Sequence, residues 1–400
     1  MLGERAPLFR RIEDIRQRPL ITYVTSSRQG CAGTIASDVV PELLTQLNAL
    51  PAEADAIDLL LVSHGGDPTV AWRIVSLIRE RVKKFAVLIP QAAYSAATLI
   101  ALGADEIVMH PNGNLGPTDP QITAPRRGKE STIPISFGSE DLSALLKFAR
   151  DDVRLTDQVQ MLSVFNHFCE EVGSVAVGVA ARSAQLSMTM GEKLLQLHMP
   201  GESEKSKAKS ISHTLTRDFF HHGYPVSRSE AKAIGLPISE SNHAIDSLLW
   251  AVWSDYSDEL KLREPVNHIA TLRAEPGCAP LFAPIPQLVV PANLPAAAQQ
   301  QAIQAALNQI VVENVPPANF EMIHAVMESV RLASRFQTRG MLFASRTPDM
   351  QIKMSQVIEH QGWSDLALPN PPPRDQAPES APERKRKAAA KTSSRSKTKR

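Results

Sequence analysis

The chain has 400 residues, 43% hydrophobic and 21% charged, with a formal net charge of +1. That is the composition of an ordinary soluble globular protein of roughly two or three domains. Cys31, Cys169 and Cys278 lie far apart without paired spacing, which argues against a disulfide framework or a cysteine zinc site and fits a reducing compartment.

The net charge is unevenly spread. Nine of the 43 Lys and Arg crowd into residues 384–400, which hold no acid, leaving 34 basic against 42 acidic residues and −8 on the remainder. No apolar run approaches the length of a membrane span. None follows Arg5, Arg10 and Arg11, so no signal peptide is expected. The expectation is a cytoplasmic protein.

In chain order, a short helix in a polar lead-in precedes a β-rich run over Leu20–Thr25. A loop with Gly30, Cys31 and Gly33 follows. Ser37-Asp38 then cap a helix carrying Val39, Val40, Leu43, Leu44 and Leu47. Ile57–Val62 is almost continuously apolar, as in a strand buried on both faces. Ala71, Ile74, Val75, Ile78 and Val82 trace an amphipathic helix. Phe85–Ile89 predicts the next strand, Ser95–Gly103 an apolar helix, and Glu106–Met109 a further strand. Such alternation predicts βαβ units and a parallel sheet with right-handed crossovers.

Residues 122–138 read as polar and irregular. The apolar stripe over 139–172 predicts one helix of roughly 50 Å, long enough to serve as an assembly surface. Another helix is expected over 175–198, then a charged loop at 202–209, a short helix capped by Ser227 and stopped at Gly235, and a helix over 243–262. Seven prolines mark 263–297 as a linker. Ile303, Leu307 and Ile310, then Ile323, Val326, Met327 and Val330, fall at helical spacing and predict a small helical module over 298–363. From 364 the Pro/Ser/Ala/Lys-rich sequence is expected to be a disordered basic tail.

The chemistry gathers after two strands. Gly65-Gly66 is commonly just a tight turn. It is also the pair that lets backbone N–H groups face an oxyanion without a Cβ in the way. Ser95 is an ordinary helix N-cap residue, yet its place at the C-terminal edge of a parallel sheet is where α/β folds hold ligands. The N–H of Ala96 and the helix N-terminus would favour negative charge there.

The strand–Gly-Gly–helix–strand–Ser–helix order carries the run from Ser95-Ala96-Ala97-Thr98 to Val108-Met109, then Leu115-Gly116-Pro117-Thr118-Asp119-Pro120-Gln121. It resembles the serine dehydrogenase proteinase family of the ClpP/crotonase superfamily, related to signal peptide peptidase A. His222-Gly223-Tyr224-Pro225-Val226 and the run from Glu230 to Pro237 also resemble that family's later segment. The resemblance covers roughly residues 18–240. It implies an α/β, ClpP/crotonase-like parallel-sheet ββα superhelix over 1–262 and a serine peptidase, not a dehydrogenase. Ser95 matches the nucleophile, and Gly66 with Ala96 matches the oxyanion-hole amides, beside Gly65. Ala97 stands where a glycine is expected, and His64 where a small or hydroxyl residue is commoner.

A serine hydroxyl needs a neighbour to accept its proton. The histidine that follows the Clp serine by about two dozen positions is replaced here by Asp119, a residue type that also caps helices and braces loops. Relatives with a lysine base direct attention to Lys129 and Lys147, though solvated surface lysines are commoner. His64 is better placed than His110 to reach Ser95. His221 and His222 read as shaping the chain beside Tyr224-Pro225.

The expected function is ATP-independent hydrolysis of peptide bonds in peptide or protein substrates by a homo-oligomer. The alternative is a catalytically inactive oligomeric scaffold, and a crotonase-type acyl-CoA enzyme is a distant third. No cofactor is expected, since there is no metal-ligand cluster and no phosphate loop. The basic tail 384–400 offers weak, salt-dependent nucleic-acid contact, without aromatic residues for stacking, or simply a solubilising end.

Overall fold

The structure, a computed structural model, describes residues 2–127, 132–219, 221–240, 242–284 and 295–366. Helix α1 (Leu2–Arg16) precedes β1 (Leu20–Thr25), the hairpin strands β2 (Ser27–Arg28) and β3 (Cys31–Ala32), and α2 (Val39–Asn48). Then come β4 (Ala56–Val62), α3 (Pro68–Arg81), β5 (Lys84–Ile89), β6 (Ala92–Ala93), α4 (Ala96–Leu102), β7 (Glu106–Met109) and β8 (Asn114–Leu115). The hairpin β9 (Ile122–Arg127) and β10 (Thr132–Phe137) leads into α5 (Ser139–Asp151), α6 (Gln158–Val172), α7 (Ser174–Gln196) and α8 (Glu202–His213). The chain continues through α9 (Arg228–Ala233), β11 (Ile238–Ser239), α10 (His243–Glu259), α11 (His268–Ala274) and α12 (Ala296–Ile310). It closes on three long strands, β12 (Ala318–Glu328), β13 (Ala333–Arg346) and β14 (Ile352–Asp365).

An eight-stranded sheet in the order β11-β7-β5-β4-β1-β12-β13-β14 forms the frame. Its first five strands are parallel. Both faces are covered, which explains the continuous apolar runs. Ile21, Tyr23, Leu59, Leu61 and Val87 face Val39, Leu43, Ile74, Ile78 and Leu99 from α2, α3 and α4. Leu20, Val24, Leu60, Val62 and Leu88 face Phe9, Ile12, Leu249 and Val252 from α1 and α10.

The sequence expectations for β1, β4, α3, β5, α4 and β7 agree with these elements within a residue or a few at their ends. Four others are corrected. The single helix expected over 139–172 is two, because the chain breaks after Asp151 and Asp157 caps α6, its carboxylate accepting from Val159 N and Gln160 N at 3.0 Å each. The irregular stretch at 122–138 contains the β9–β10 hairpin, whose Ala124 and Phe137 pack on Val172 and Ala180. The charged stretch 202–209 is the start of α8, with Gly201 N donating to the Glu204 carboxylate at 2.9 Å. The acids in its first turn suit a helix N-terminus.

The fourth correction concerns the helical module expected over 298–363. Only α12 is helical there; β12, β13 and β14 extend the main sheet, with β12 antiparallel to β1. A bulge between Ile323 and Ala325 explains the misleading spacing. One extra residue places Ile323 and Val326 on the same face three positions apart, where a regular strand would give two. Both pack in the α1/α10 core. Of the expected linker 263–297, residues 268–274 form α11 and 285–294 lie outside the described residues, as does the tail from 367 onward.

Candidate active site

The loop after β4 is laced to the segment before α4. Ser63 N donates to Ala92 O and Tyr94 N to Ser63 O, both at 2.9 Å. The lacing sets Gly65 directly against Ser95. A Cβ on Gly65 would lie 2.7 Å from the Ser95 Cβ and 3.1 Å from Ala96 N, and the backbone holds φ at +105°. Gly66 is pinned from the other side, where a Cβ would meet the Ile35 carbonyl oxygen at 2.2 Å. Both glycines are therefore required sterically.

Ser95 precedes the first turn of α4 with φ 54° and ψ −117°. This is a strained conformation for a residue with a Cβ, and it presents the hydroxyl on a sharp strand-to-helix turn. Ser95 is half-buried, and its hydroxyl has no hydrogen-bond partner among the described residues. The Gly65 amide is already used, donating to Ser63 Oγ at 3.1 Å. The Gly66 and Ala96 amides donate to nothing among the described residues.

Ser95, His64, Gly66, Leu99, Ile122 and His222 share the wall of one cavity of about 490 Å³. Its wall is otherwise apolar, hydroxyl or amide, with no carboxylate, lysine or arginine. His222 is the residue that the sequence reading left as structural. Its Nδ1 lies 2.9 Å from Asp119 Oδ1, and Gln121 Nε2 donates to the other Asp119 oxygen at 2.8 Å. Two strips hold this pair in place. Leu115 N and Val226 O, with their reciprocal bond, join at 3.0 and 2.8 Å. Thr118 N donates to Leu215 O at 2.8 Å. The hydrogen bond to the Asp119 carboxylate raises the pKa of His222 above its ordinary value. An Nδ1–H held by Asp119 leaves the Nε2 lone pair free.

The other candidates fall elsewhere. The His64 ring stacks on Tyr94 with centroids 5.5 Å apart; desolvation lowers its pKa, and no carboxylate orients it. Lys147 is exposed on α5 and does not line the cavity. Lys129 lies outside the described residues. His110 stacks on Trp250 away from the cavity. His221 shapes a turn, accepting from Gly223 N at 3.1 Å. The signal for His222 is indirect: Asp119 stands at the spacing of the Clp histidine, and its carboxylate takes its histidine from another segment. Among the described residues no group of three His, Cys, Asp or Glu could hold a metal ion, and no helix is long and apolar enough to cross a membrane.

Residues 4–128, which contain Gly65, Gly66 and Ser95, match the model of a family described as ClpP-like SDH-type serine proteinase. The match covers a little under a third of the chain, from α1 to the end of β9. The match agrees with the family resemblance read from the sequence.

Two uncharacterized proteins of Methanocaldococcus jannaschii are similar to it. One is 27% identical over 245 residues, 58% of this chain and 73% of that protein. The other is 27% identical over 199 residues, spanning 50% of this chain and only 56% of that protein. Among solved structures, a membrane-bound stomatin-specific protease aligns at 16% identity and a TM-score of 0.33, over 54% of this chain and 79% of that one. The ClpP1 of Listeria monocytogenes aligns at 16% identity and a TM-score of 0.29, over 60% of this chain and 99% of that one. Likeness at this level leaves the details of function to the chain's own residues.

Proposed function

We propose that the chain hydrolyses peptide bonds without ATP, with Ser95 as the nucleophile. The observation that carries this reading is a serine in a strained turn, set against two glycines and sharing one uncharged cavity with a histidine–aspartate pair. Ser95 Oγ attacks the scissile carbonyl while its proton passes to His222 Nε2. The new Oγ–C bond makes a tetrahedral oxyanion, which the Gly66 and Ala96 amides receive. His222 then returns the proton to the departing amine, and water repeats the sequence to release the acyl group. Asp119 positions the imidazole and stabilises its charged form. Gly65 serves by making room. Ala97, fully buried within α4, leaves that geometry clear.

The reading includes a homo-oligomer. Val159, Leu162 and Phe148 are 74%, 55% and 56% exposed on α5 and α6, which suits an assembly face. The test of the nucleophile is labelling of the purified protein by a fluorophosphonate, with Ser95→Ala as control. An adduct on Ser95 that disappears in the variant is expected. A folded, unlabelled protein would instead favour the inactive scaffold.

A further inference from the structure

The C-terminal strands β12–β14 lie outside the family match, yet they stand beside the active-site cavity. A second cavity of about 400 Å³ is lined by Ala36, Asp38, His324, Phe336 and Trp363. Ala32, Gly33 and Thr34 line both cavities, so the two adjoin the same β3 turn. That turn is fixed: Ser26 N donates to His324 O at 2.7 Å and Gly33 N to Ser26 O at 2.8 Å. A Cβ at Gly33 would sit 1.9 Å from His324 O. Any side chain there would therefore push the turn off β12.

The second cavity has an aromatic wall. His324 is the extra residue of the β12 bulge, a device that re-aims a side chain. Its ring meets Phe336 edge-on at 5.7 Å, and Phe336 meets Trp363 edge-on at 5.9 Å. The His324 and Trp363 ring nitrogens already have partners. His324 Nε2 lies 2.9 Å from Thr338 Oγ1, and Trp363 Nε1 donates to Asp38 at 2.8 Å. Between them lies half-exposed ring surface of Phe336 and Trp363, beside the Gln361 amide, matched to a large uncharged side chain.

We infer that this cavity is a remote substrate subsite, which takes an aromatic or large aliphatic side chain of the peptide while Ser95 cuts the same chain in the first cavity. The occupant is the substrate itself, because the second cavity adjoins the Ser95 cavity at the shared turn Ala32–Thr34 and offers ring surface suited to an uncharged side chain. The inference rests on the peptidase reading.

The test uses the full chain and a set of Ala/Ser/Gly decapeptides carrying one Phe, moved position by position, with cleavage mapped by mass spectrometry. The wild type should favour one fixed spacing between Phe and the cut bond, by roughly 3- to 10-fold, the range of a single aromatic contact. Trp363→Ala and the cavity-filling Ala36→Trp should flatten the preference, while Trp363→Phe should keep it. Phe343→Ala, on an exposed part of β13, should also keep it. A wild type labelled at Ser95 but indifferent to Phe position would overturn the subsite alone. So would a preference that persists in both Trp363→Ala and Ala36→Trp. Absence of both cleavage and a Ser95 adduct would overturn the peptidase reading and the subsite together.

Discussion

A methyl group on Gly65 would press on the Ser95 Cβ at 2.7 Å and on the Tyr94 carbonyl oxygen at 2.8 Å. The Gly65→Ala protein is therefore expected to fold yet lose fluorophosphonate reactivity by about 100-fold, the scale of one misplaced oxyanion or nucleophile contact; labelling kinetics beside a thermal melt check it. A second prediction follows from the Asp119–His222 hydrogen bond. His222 must be neutral to accept the Ser95 proton, and its pKa is raised by Asp119. Reactivity should rise with pH through a midpoint above 6.5, the ordinary histidine value. Asp119→Asn removes the anion, so the midpoint should fall as the maximal rate drops. A rate profile from pH 5 to 9 in both proteins decides this, and an unmoved midpoint would separate Asp119 from the base. Ser95 and its glycines were legible in the sequence because each follows closely on an apolar strand, although the contacts that hold them come from segments about 30 residues away. His222 was not, since 103 residues separate it from Asp119 and only the fold brings them together.

At the level of elements, the parallel strands could be read from the sequence because burial on both faces leaves an unbroken apolar run, and α3 because its stripe has one period. β12 could not, because the bulge at His324 imitates helical spacing. The α5–α6 break was signalled only by Asp157, whose capping role depends on where the chain turns. The role of β12 in the sheet yields a third prediction. It covers the β1 edge through Thr22↔Glu328 to Thr25↔Ala325, and Val326 and Met327 are 0% and 1% exposed. Val326→Ala should cost about 1–3 kcal/mol in chemical denaturation. An unaffected midpoint would mean that the C-terminal strands add nothing to the domain they join.

Across the whole molecule, one buried ionic hub ties its two ends. Arg5 is fully buried on α1 and donates to both oxygens of Glu328 at 3.0 and 2.8 Å. Its guanidinium lies 4.1 Å from the Tyr256 ring centroid, and the Tyr256 hydroxyl also donates to Glu328 at 2.8 Å. Arg5→Ala would strand the Glu328 carboxylate without its cation, so a loss of about 3–5 kcal/mol is expected in an unfolding titration. The hub holds β12 to the N-terminal helix, and β12 in turn supports the turn beside the Ser95 cavity. The full chain is therefore the material in which the central claim, that Ser95 is activated by His222, should be measured. The measurement is the rate of fluorophosphonate labelling at Ser95 in the wild type, His222→Gln, His64→Gln, Lys147→Gln and Lys129→Gln. The account predicts a loss of about 100-fold or more for His222→Gln, the scale of a removed general base, and rates near wild type for the other three. An undiminished rate in His222→Gln, with the loss appearing instead in Lys129→Gln or His64→Gln, would contradict it.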